Sequence, residues 1–411
     1  MKVVLLCGGI GKRMYPITEE KFLLKFLGRP LLQHQIESAS SAGLKEFIII
    51  VNRRNKEKVN ETVKVIKGIE VEFAIQQKPL GMANALESIT EFLPKEVILI
   101  GSNDVFDKES YLSLLEEYKK SPALSYILAH KVRDYFPGGY LVVNERNELA
   151  HLVEKPERGK EPSNLVNLVV HLHSDTRRLL EAIKGVRSGR DDVYEVALQS
   201  LVDQGFKVIV KEYAGHWIAI KYPWHILDVT EHFLSHIQRR ISPDAKISPS
   251  AVIEGDVIIE VGVKVLENAV IRGPCYIGKN SVIGNNTLIR DYTHIGDRCV
   301  VGFSTEIKHS YICDDCWFHS NYIGDSVIAE RCSFGAGTIT ANWRFDEKNI
   351  TIKIGGEIID TRKGKLGAIV GSNCKTGINA SINVGSLIGD HAFIGPGAMV
   401  SGVVLPGSQI F

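Results

Sequence analysis

The residues able to do chemistry sit in short glycine-rich and charged segments far apart in the chain. After the first apolar run, Val3–Cys7, the sequence reads Gly8-Gly9-Ile10-Gly11-Lys12-Arg13. Glycines there let backbone N–H groups approach phosphate oxygens, and an arginine adds a fork of charged donors. A plain strand-to-helix turn is the alternative use of the same glycines. Asp104 follows the apolar run Val97–Ile100, where a carboxylate either caps a helix or meets a hard cation. Downstream, His319-Ser320-Asn321-Tyr322-Ile323-Gly324-Asp325 stands ahead of Gly335-Ala336-Gly337-Thr338-Ile339-Thr340-Ala341-Asn342. An imidazole accepts a proton near neutral pH, which suits a base for an amine nucleophile. A partly buried histidine bonded to a backbone carbonyl is the competing reading.

Two kinds of element must position these residues. In the first half, Val3–Cys7, Phe47–Val51, Val71–Gln76, Val97–Ile100 and Tyr126–His130 read as buried strands, with helices at Gln33–Ala42 and Tyr111–Lys119. This alternation predicts an α/β domain of Rossmann-like type with a mostly parallel sheet over residues 1–221. A connecting helix is expected within 222–240, with Ile226, Val229, Phe233 and Ile237 on one face.

From residue 241 the period becomes six. Ile241, Ile247, Ile253, Ile259, Val265, Ile271, Ile277, Ile283, Ile289, Ile295, Val301 and Ile307 are evenly spaced, and mostly small residues such as Ala245, Ala269, Cys275, Ser281, Thr287 and Cys299 follow four places later. Helices and coiled coils do not produce such a period. A prism of short strands does, one face per hexapeptide, so residues 241–411 are expected to form a left-handed parallel β-helix. The register breaks after Ile307 and resumes at Val370, Ile382, Ile388, Ile394 and Val400.

Bulk properties exclude several classes. A formal net charge of +1 leaves no footprint for nucleic acid. The Val3–Cys7 run is too short for a signal peptide or a membrane span, so a cytoplasmic protein is expected. The seven cysteines are odd in number, and reduced thiols are expected.

Residues 1–221 resemble the sugar-1-phosphate nucleotidyltransferases. The resemblance rests on LCGGIGKRMYPIT…EKFLLKFLGRPLL, on Gln76-Gln77-Lys78-Pro79-Leu80-Gly81-Met82-Ala83, on Asn103-Asp104-Val105-Phe106, on Glu154-Lys155-Pro156 and on Ser163-Asn164-Leu165-Val166-Asn167. It implies attack of a sugar phosphate on the α-phosphorus of a nucleoside triphosphate, with loss of pyrophosphate. Alignment and charge neutralisation dominate such chemistry. By this resemblance Gly8, Gly9 and Gly11 line the phosphates, and Arg13 and Lys21 hold the triphosphate, with Lys25 a weaker rival to Lys21. Asp104 holds Mg²⁺ or another divalent cation, Lys155 meets the sugar phosphate, and Glu154 and Asn167 bond the sugar. Gly139 packs beneath the sugar, and Gln76 and Gly81 read a uracil or thymine base, so UTP or dTTP is favoured. The chain departs from the family pattern at Glu20, Asn103 and Leu168-Val169, and at Ala219, where the family commonly carries a second metal-binding aspartate.

The region after Ile307 resembles the acetyltransferase half of bifunctional N-acetylglucosamine-1-phosphate uridyltransferases, and archaeal counterparts more closely. This implies acetyl transfer from acetyl-CoA to an amino-sugar-1-phosphate. His319 is then the general base, Tyr322 and Asn342 position the amino sugar or the oxyanion, Arg290 and Lys308 bind its 1-phosphate, and Ser372 lies near the thioester. Relatives of this type are commonly homotrimers with sites between adjacent prisms. The chain lacks the basic residue that relatives often carry past the last coil. Two rival readings remain: a glucose- or mannose-1-phosphate nucleotidyltransferase whose β-helix only trimerises, and a non-catalytic nucleotide-sugar sensor.

Overall fold

The computed structural model describes residues 1–9, 11 and 13–411; Ile10 and Lys12 of the glycine loop lie outside the described residues. The chain forms two compact units: Met1–Ile10, Lys21–Leu23 and Pro30–Trp217 in the first, and Gly11–Glu20, Leu24–Arg29 and Ile218–Phe411 in the second. Gly11 and Arg13 therefore pack with the β-helical half, not with the α/β half in which the sequence places them.

Within the second unit the reason is visible. Tyr15 donates its hydroxyl to the Val404 carbonyl (2.5 Å), Tyr311 donates to the Lys25 carbonyl (2.9 Å), and Phe26 stacks on Phe233 with ring centres 5.4 Å apart. Lys25 pairs with Asp314 at 2.8 Å, an engagement that counts against it as a triphosphate ligand.

The first unit is built on a nine-stranded sheet. Strands Lys2–Cys7, Glu46–Val51, Glu70–Ile75 and Val97–Gly101 pair in parallel. Phe47–Val51 is buried throughout, as expected of an apolar run covered on both faces. Leu165–His173 then runs antiparallel to Val97–Gly101 and to Ser125–Lys131. Gly139–Val143 pairs with both Leu165–His173 and Leu149–Glu154. This antiparallel extension is not legible in the apolar pattern, and it matters most for the site. Its register sets Glu154 opposite Gly139 and Val166 opposite Tyr140, so Asn167 follows directly on the residue that pairs beside Gly139.

The second unit contains three parallel sheets of nine, nine and eight short strands. Partners stand eighteen apart in the early coils, as Ile241 pairs with Ile259, so each coil uses three hexapeptides. The Ile/Val column predicted from the sequence fills the interior, with Ile271, Ile277, Ile283, Ile289 and Ile295 fully buried. Their Cβ branching suits extended backbone, and each contributes about 2 kcal/mol through burial.

The expected break after Ile307 is mostly a shortening. Tyr311 pairs with Val327, sixteen residues on, while Ile312, Phe318, Ile323, Ile328 and Phe334 keep pointing inward. Only the segment after Asn342 leaves the prism. It forms the hairpin Thr351–Ile354 with Glu357–Asp360, and Ile369 then resumes pairing with Val327. The connecting helix is also shorter than expected, covering His225–Leu234. Beyond it Arg239 bonds forward: its N–H meets Asp256, and its guanidinium meets the Ile253 and Gly255 carbonyls of the first coil.

Candidate active sites

In the first unit the sequence candidates fall into two groups. Gly8 packs directly on Gln76, because a Cβ at residue 8 would collide with Gln76 Oε1. Gln76 donates its Nε2 to the Gly81 carbonyl (3.0 Å) and to Asn84 Oδ1 (3.1 Å). Gly81 has φ +86°, and a Cβ there would collide with Asp191. Gly8, Gln76 and Gly81 thus form one wall, joined by Asp191, which no sequence motif singles out. At Gly9 a Cβ would meet nothing within 4 Å among the described residues.

The second group is a cradle. A Cβ on Gly139 would lie 2.9 Å from Glu154 Oε2 and 3.4 Å from the Asn167 Cβ. Bare backbone, a carboxylate and an amide converge on one point, which fits a polyhydroxylated ligand. Lys155 adopts left-handed backbone (φ 47°) and pairs with Glu154 at 2.6 Å. Beneath the cradle lies Glu195, 8% exposed. Burial, reinforced by the charge of Glu154, pushes its carboxyl up to about 8.

That displacement has a thermodynamic consequence. Glu195 is raised above its unfolded value, so the folded chain binds a proton between pH ~4.5 and ~8 and loses stability as pH rises through that window. Glu195→Gln is expected to raise the melting temperature at pH 8 and leave it nearly unchanged at pH 4. Equal shifts at both values in a calorimetric pH series would contradict this.

Lys21 opens a short 3-10 turn, Lys21–Leu23, held in the core by buried Phe22 and Leu23. Asp104 is 7% exposed and accepts a hydrogen bond from Trp217 Nε1 at 3.0 Å. Trp217 was not foreseen as a site residue. Among the described residues no group of three or more His, Cys, Asp or Glu could hold a metal ion. One carboxylate with a free oxygen still fits a hard cation that draws its other ligands from water and phosphate.

In the second unit a cavity of about 360 Å³ is lined by Arg290, Lys308, Tyr322, Asn342, Trp343 and Lys365. Four of these are sequence candidates brought together from separate coils. Trp343 and Lys365 are additions, and the Lys365 ammonium lies 5.2 Å from the Trp343 ring centre. Three cations in one cavity match a phosphate dianion.

A buried carboxylate organises this wall. Asp325, 4% exposed, receives Lys308 at 3.2 Å, His309 Nδ1 at 3.0 Å and Asn342 Nδ2 at 2.5 Å. Burial alone would raise its carboxyl; the bonds from His309 and Asn342 and the charge of Lys308 outweigh that and hold it below the usual range. Asn342 also donates to the Tyr322 hydroxyl at 3.2 Å.

Gly324 lies beneath that contact. A Cβ there would sit 2.7 Å from Asn342 Nδ2 and 2.8 Å from the Tyr322 hydroxyl. Gly324→Ala is expected to push both groups off position and slow the chemistry of this cavity roughly tenfold, the scale of about 1–3 kcal/mol of overpacking. Unchanged turnover would show that the two groups are not part of that chemistry.

His319 does not line this cavity. It is exposed, and its N–H donates to Asn321 Oδ1 at 2.5 Å. Ser372 is also outside, with its N–H on Asp390.

Comparison with known proteins agrees with both halves. A family model described as "Nucleotidyl transferase" matches residues 2–216, and one described as "Bacterial transferase hexapeptide (six repeats)" matches residues 274–309. A Methanococcus maripaludis protein named "Bifunctional protein GlmU" is 38% identical over all of this chain and 97% of its own length. A Sulfurisphaera tokodaii protein named "Bifunctional sugar-1-phosphate nucleotidylyltransferase/acetyltransferase" is 34% identical, covering 98% of this chain and 97% of its own. A further "Bifunctional protein GlmU", from Methanocaldococcus jannaschii, is 33% identical over 97% and 95%. With both architectures present and relatives matched end to end, the chain belongs to the nucleotidyl transferase family, in the group whose members carry a C-terminal hexapeptide-repeat β-helix.

Proposed function

We propose that the chain is a bifunctional enzyme of nucleotide-sugar synthesis. Its first unit joins a sugar-1-phosphate to the nucleotidyl group of UTP or dTTP and releases pyrophosphate. Its second unit acetylates an amino-sugar-1-phosphate from acetyl-CoA. The observation that carries this reading is the convergence of Arg290, Lys308, Tyr322 and Asn342 on one cavity. A β-helix serving only as a scaffold needs no cavity lined by three cations, one of them, Lys308, held by the buried Asp325. The same observation disfavours the monofunctional reading and the sensor.

In the first unit Glu154 and Asn167 bond the sugar over Gly139, Lys155 meets its phosphate, and Lys21 neutralises the triphosphate. Asp104 holds a divalent cation such as Mg²⁺, which supplies charge neutralisation at the phosphates when bound. Trp217 fixes the Asp104 carboxylate in one orientation.

In the second unit Arg290, Lys308 and Lys365 hold the 1-phosphate. The amine attacks the thioester carbonyl carbon, coenzyme A leaves as the thiol, and a base takes the amine proton. His319 is that base, with Tyr322 and Asn342 placing the amine or the oxyanion. A homotrimer with each site shared between adjacent prisms accounts for the position of His319 outside the one-chain cavity. Trp317, Ile339 and Met399, all about half exposed or more on the prism faces, are the apolar surface such an assembly would cover. Among the described residues no helix is long and apolar enough to cross a membrane.

Two variants test the assignment. Lys308→Ala is expected to raise the KM for amino-sugar-1-phosphate at least tenfold without altering nucleotidyl transfer, and Asn167→Ala to do the converse for the sugar-1-phosphate of the other reaction. Either variant damaging both reactions equally would contradict the division. Sedimentation is expected to give a trimer, and a monomer that keeps acetyl transfer would reject the shared site.

A further inference from the structure

A chain of buried polar groups runs from Asn167 into the core of the first unit, and none of the roles above uses it. Asn167 Oδ1 lies 2.8 Å from His171 Nε2, and His171 Nδ1 lies 2.6 Å from the Tyr194 hydroxyl. The same hydroxyl lies 2.8 Å from His173 Nε2, whose Nδ1 lies 2.7 Å from Ser125 Oγ. Ser125, His171, His173 and Tyr194 are at most 1% exposed, and Asn167 is 8% exposed. Burial holds both imidazoles down to about 3, so both are neutral at working pH.

A neutral imidazole has one donor and one acceptor nitrogen, and the tyrosine hydroxyl has one proton. The chain therefore has only two self-consistent directions. Ser125 decides between them. Its hydroxyl is fully buried, and His173 Nδ1 is the one partner it has among the described residues. A buried O–H left without an acceptor keeps its full desolvation penalty, so Ser125 donates to His173 Nδ1. His173 Nε2–H then donates to Tyr194, Tyr194 donates to His171 Nδ1, and His171 Nε2–H donates to Asn167 Oδ1.

The consequence falls on the cradle. With Oδ1 engaged by His171, the Asn167 amide turns its NH₂ toward Gly139, where Nδ2 would lie 3.8 Å from an added Cβ. That NH₂ has no hydrogen-bond partner among the described residues. We infer that Ser125, His173, Tyr194 and His171 are positioning residues that lock Asn167 as a hydrogen-bond donor, making the cradle selective for a sugar phosphate that presents an oxygen acceptor there. Glu154 supplies the complementary acceptor. This inference rests on reading the cradle as the sugar site.

Long-range ¹H–¹⁵N spectra of the full-length protein test the direction, because they distinguish Nε2–H from Nδ1–H imidazoles. Both His171 and His173 are expected as neutral Nε2–H tautomers; Nδ1–H tautomers in an active enzyme would overturn the relay and leave the functional reading standing. Kinetics with N-acetylglucosamine-1-phosphate and UTP test the consequence. Tyr194→Phe and Ser125→Ala are expected to raise the sugar-phosphate KM about five- to tenfold, the scale of one oriented hydrogen bond. The KM for UTP and the rate of acetyl transfer should stay within about twofold. Ser125→Thr, which keeps the hydroxyl, should restore the sugar-phosphate KM. An unchanged sugar-phosphate KM, or a parallel rise in both KM values, would refute the positioning role. Nε2–H tautomers in a protein that turns over no sugar-1-phosphate would sink the functional reading and the relay's role with it.

Discussion

Asp104→Asn is expected to lower nucleotidyl transfer by two orders of magnitude or more while acetyl transfer stays within about twofold. The substitution preserves shape, and an amide oxygen can still accept from Trp217 Nε1, so the fold has little reason to change. What is lost is the negative charge that recruits a hard cation to a site between polyanions. Removing one preorganised electrostatic contact typically costs about 10²–10³ in turnover. Here the loss should be at the upper end, because residue 219 is an alanine and offers no ligand atom. The unaltered protein should accordingly bind free Mg²⁺ very weakly and take it up mainly with the triphosphate. Ala219→Asp is expected to raise metal affinity measured without nucleotide, and it need not raise turnover. Tight binding of free Mg²⁺ by the unaltered protein, or a small effect of Asp104→Asn, would reject the single-carboxylate account.

His319→Ala is expected to lower acetyl transfer by at least tenfold and spare nucleotidyl transfer. A positioned base contributes roughly 10²–10⁴-fold, and neither Asp325 nor His309 is placed to substitute. Asp325 is committed to His309, Lys308 and Asn342, and His309 to Asp325 and Glu231. Lys21→Ala is expected to give the mirror result. A residual acetyl-transfer rate above a tenth of the original would assign the base elsewhere.

The β-helix was legible in the sequence because its physical rule is local. A six-residue period forces an inward aliphatic residue at each strand, and Ile241 to Ile307 obey it without a gap. Beyond Ile307 the rule fails by one residue at a time, as coils shorten to sixteen. A pattern search for period six reads that as a break, although inward packing continues through Phe318 and Phe334. Motif residues such as Glu154 and Asn167 were recognisable, but their meeting over Gly139 depends on antiparallel register between strands far apart in the chain. Apolar periodicity carries no such information. Trp217, Asp191 and Asp325 were missed as functional groups for a related reason: each acts through a neighbour that only folding supplies, and Trp343 and Lys365 line the cavity only once the chain has folded. No motif in the sequence singles out Ser125, His171, His173 or Tyr194. Their proton order exists only once they are buried together.

One measurement tests directly whether one chain performs both transfers. The purified full-length protein is incubated with glucosamine-1-phosphate, acetyl-CoA, UTP and Mg²⁺, and the products are identified by mass with and without each component. The account predicts free coenzyme A, pyrophosphate and a uridine diphosphate sugar heavier than the unacetylated product by one acetyl group. It also predicts loss of that product in both His319→Ala and Asp104→Asn. A nucleotide sugar formed with no release of coenzyme A from any amino-sugar-1-phosphate would contradict it, and would leave the β-helix as a scaffold.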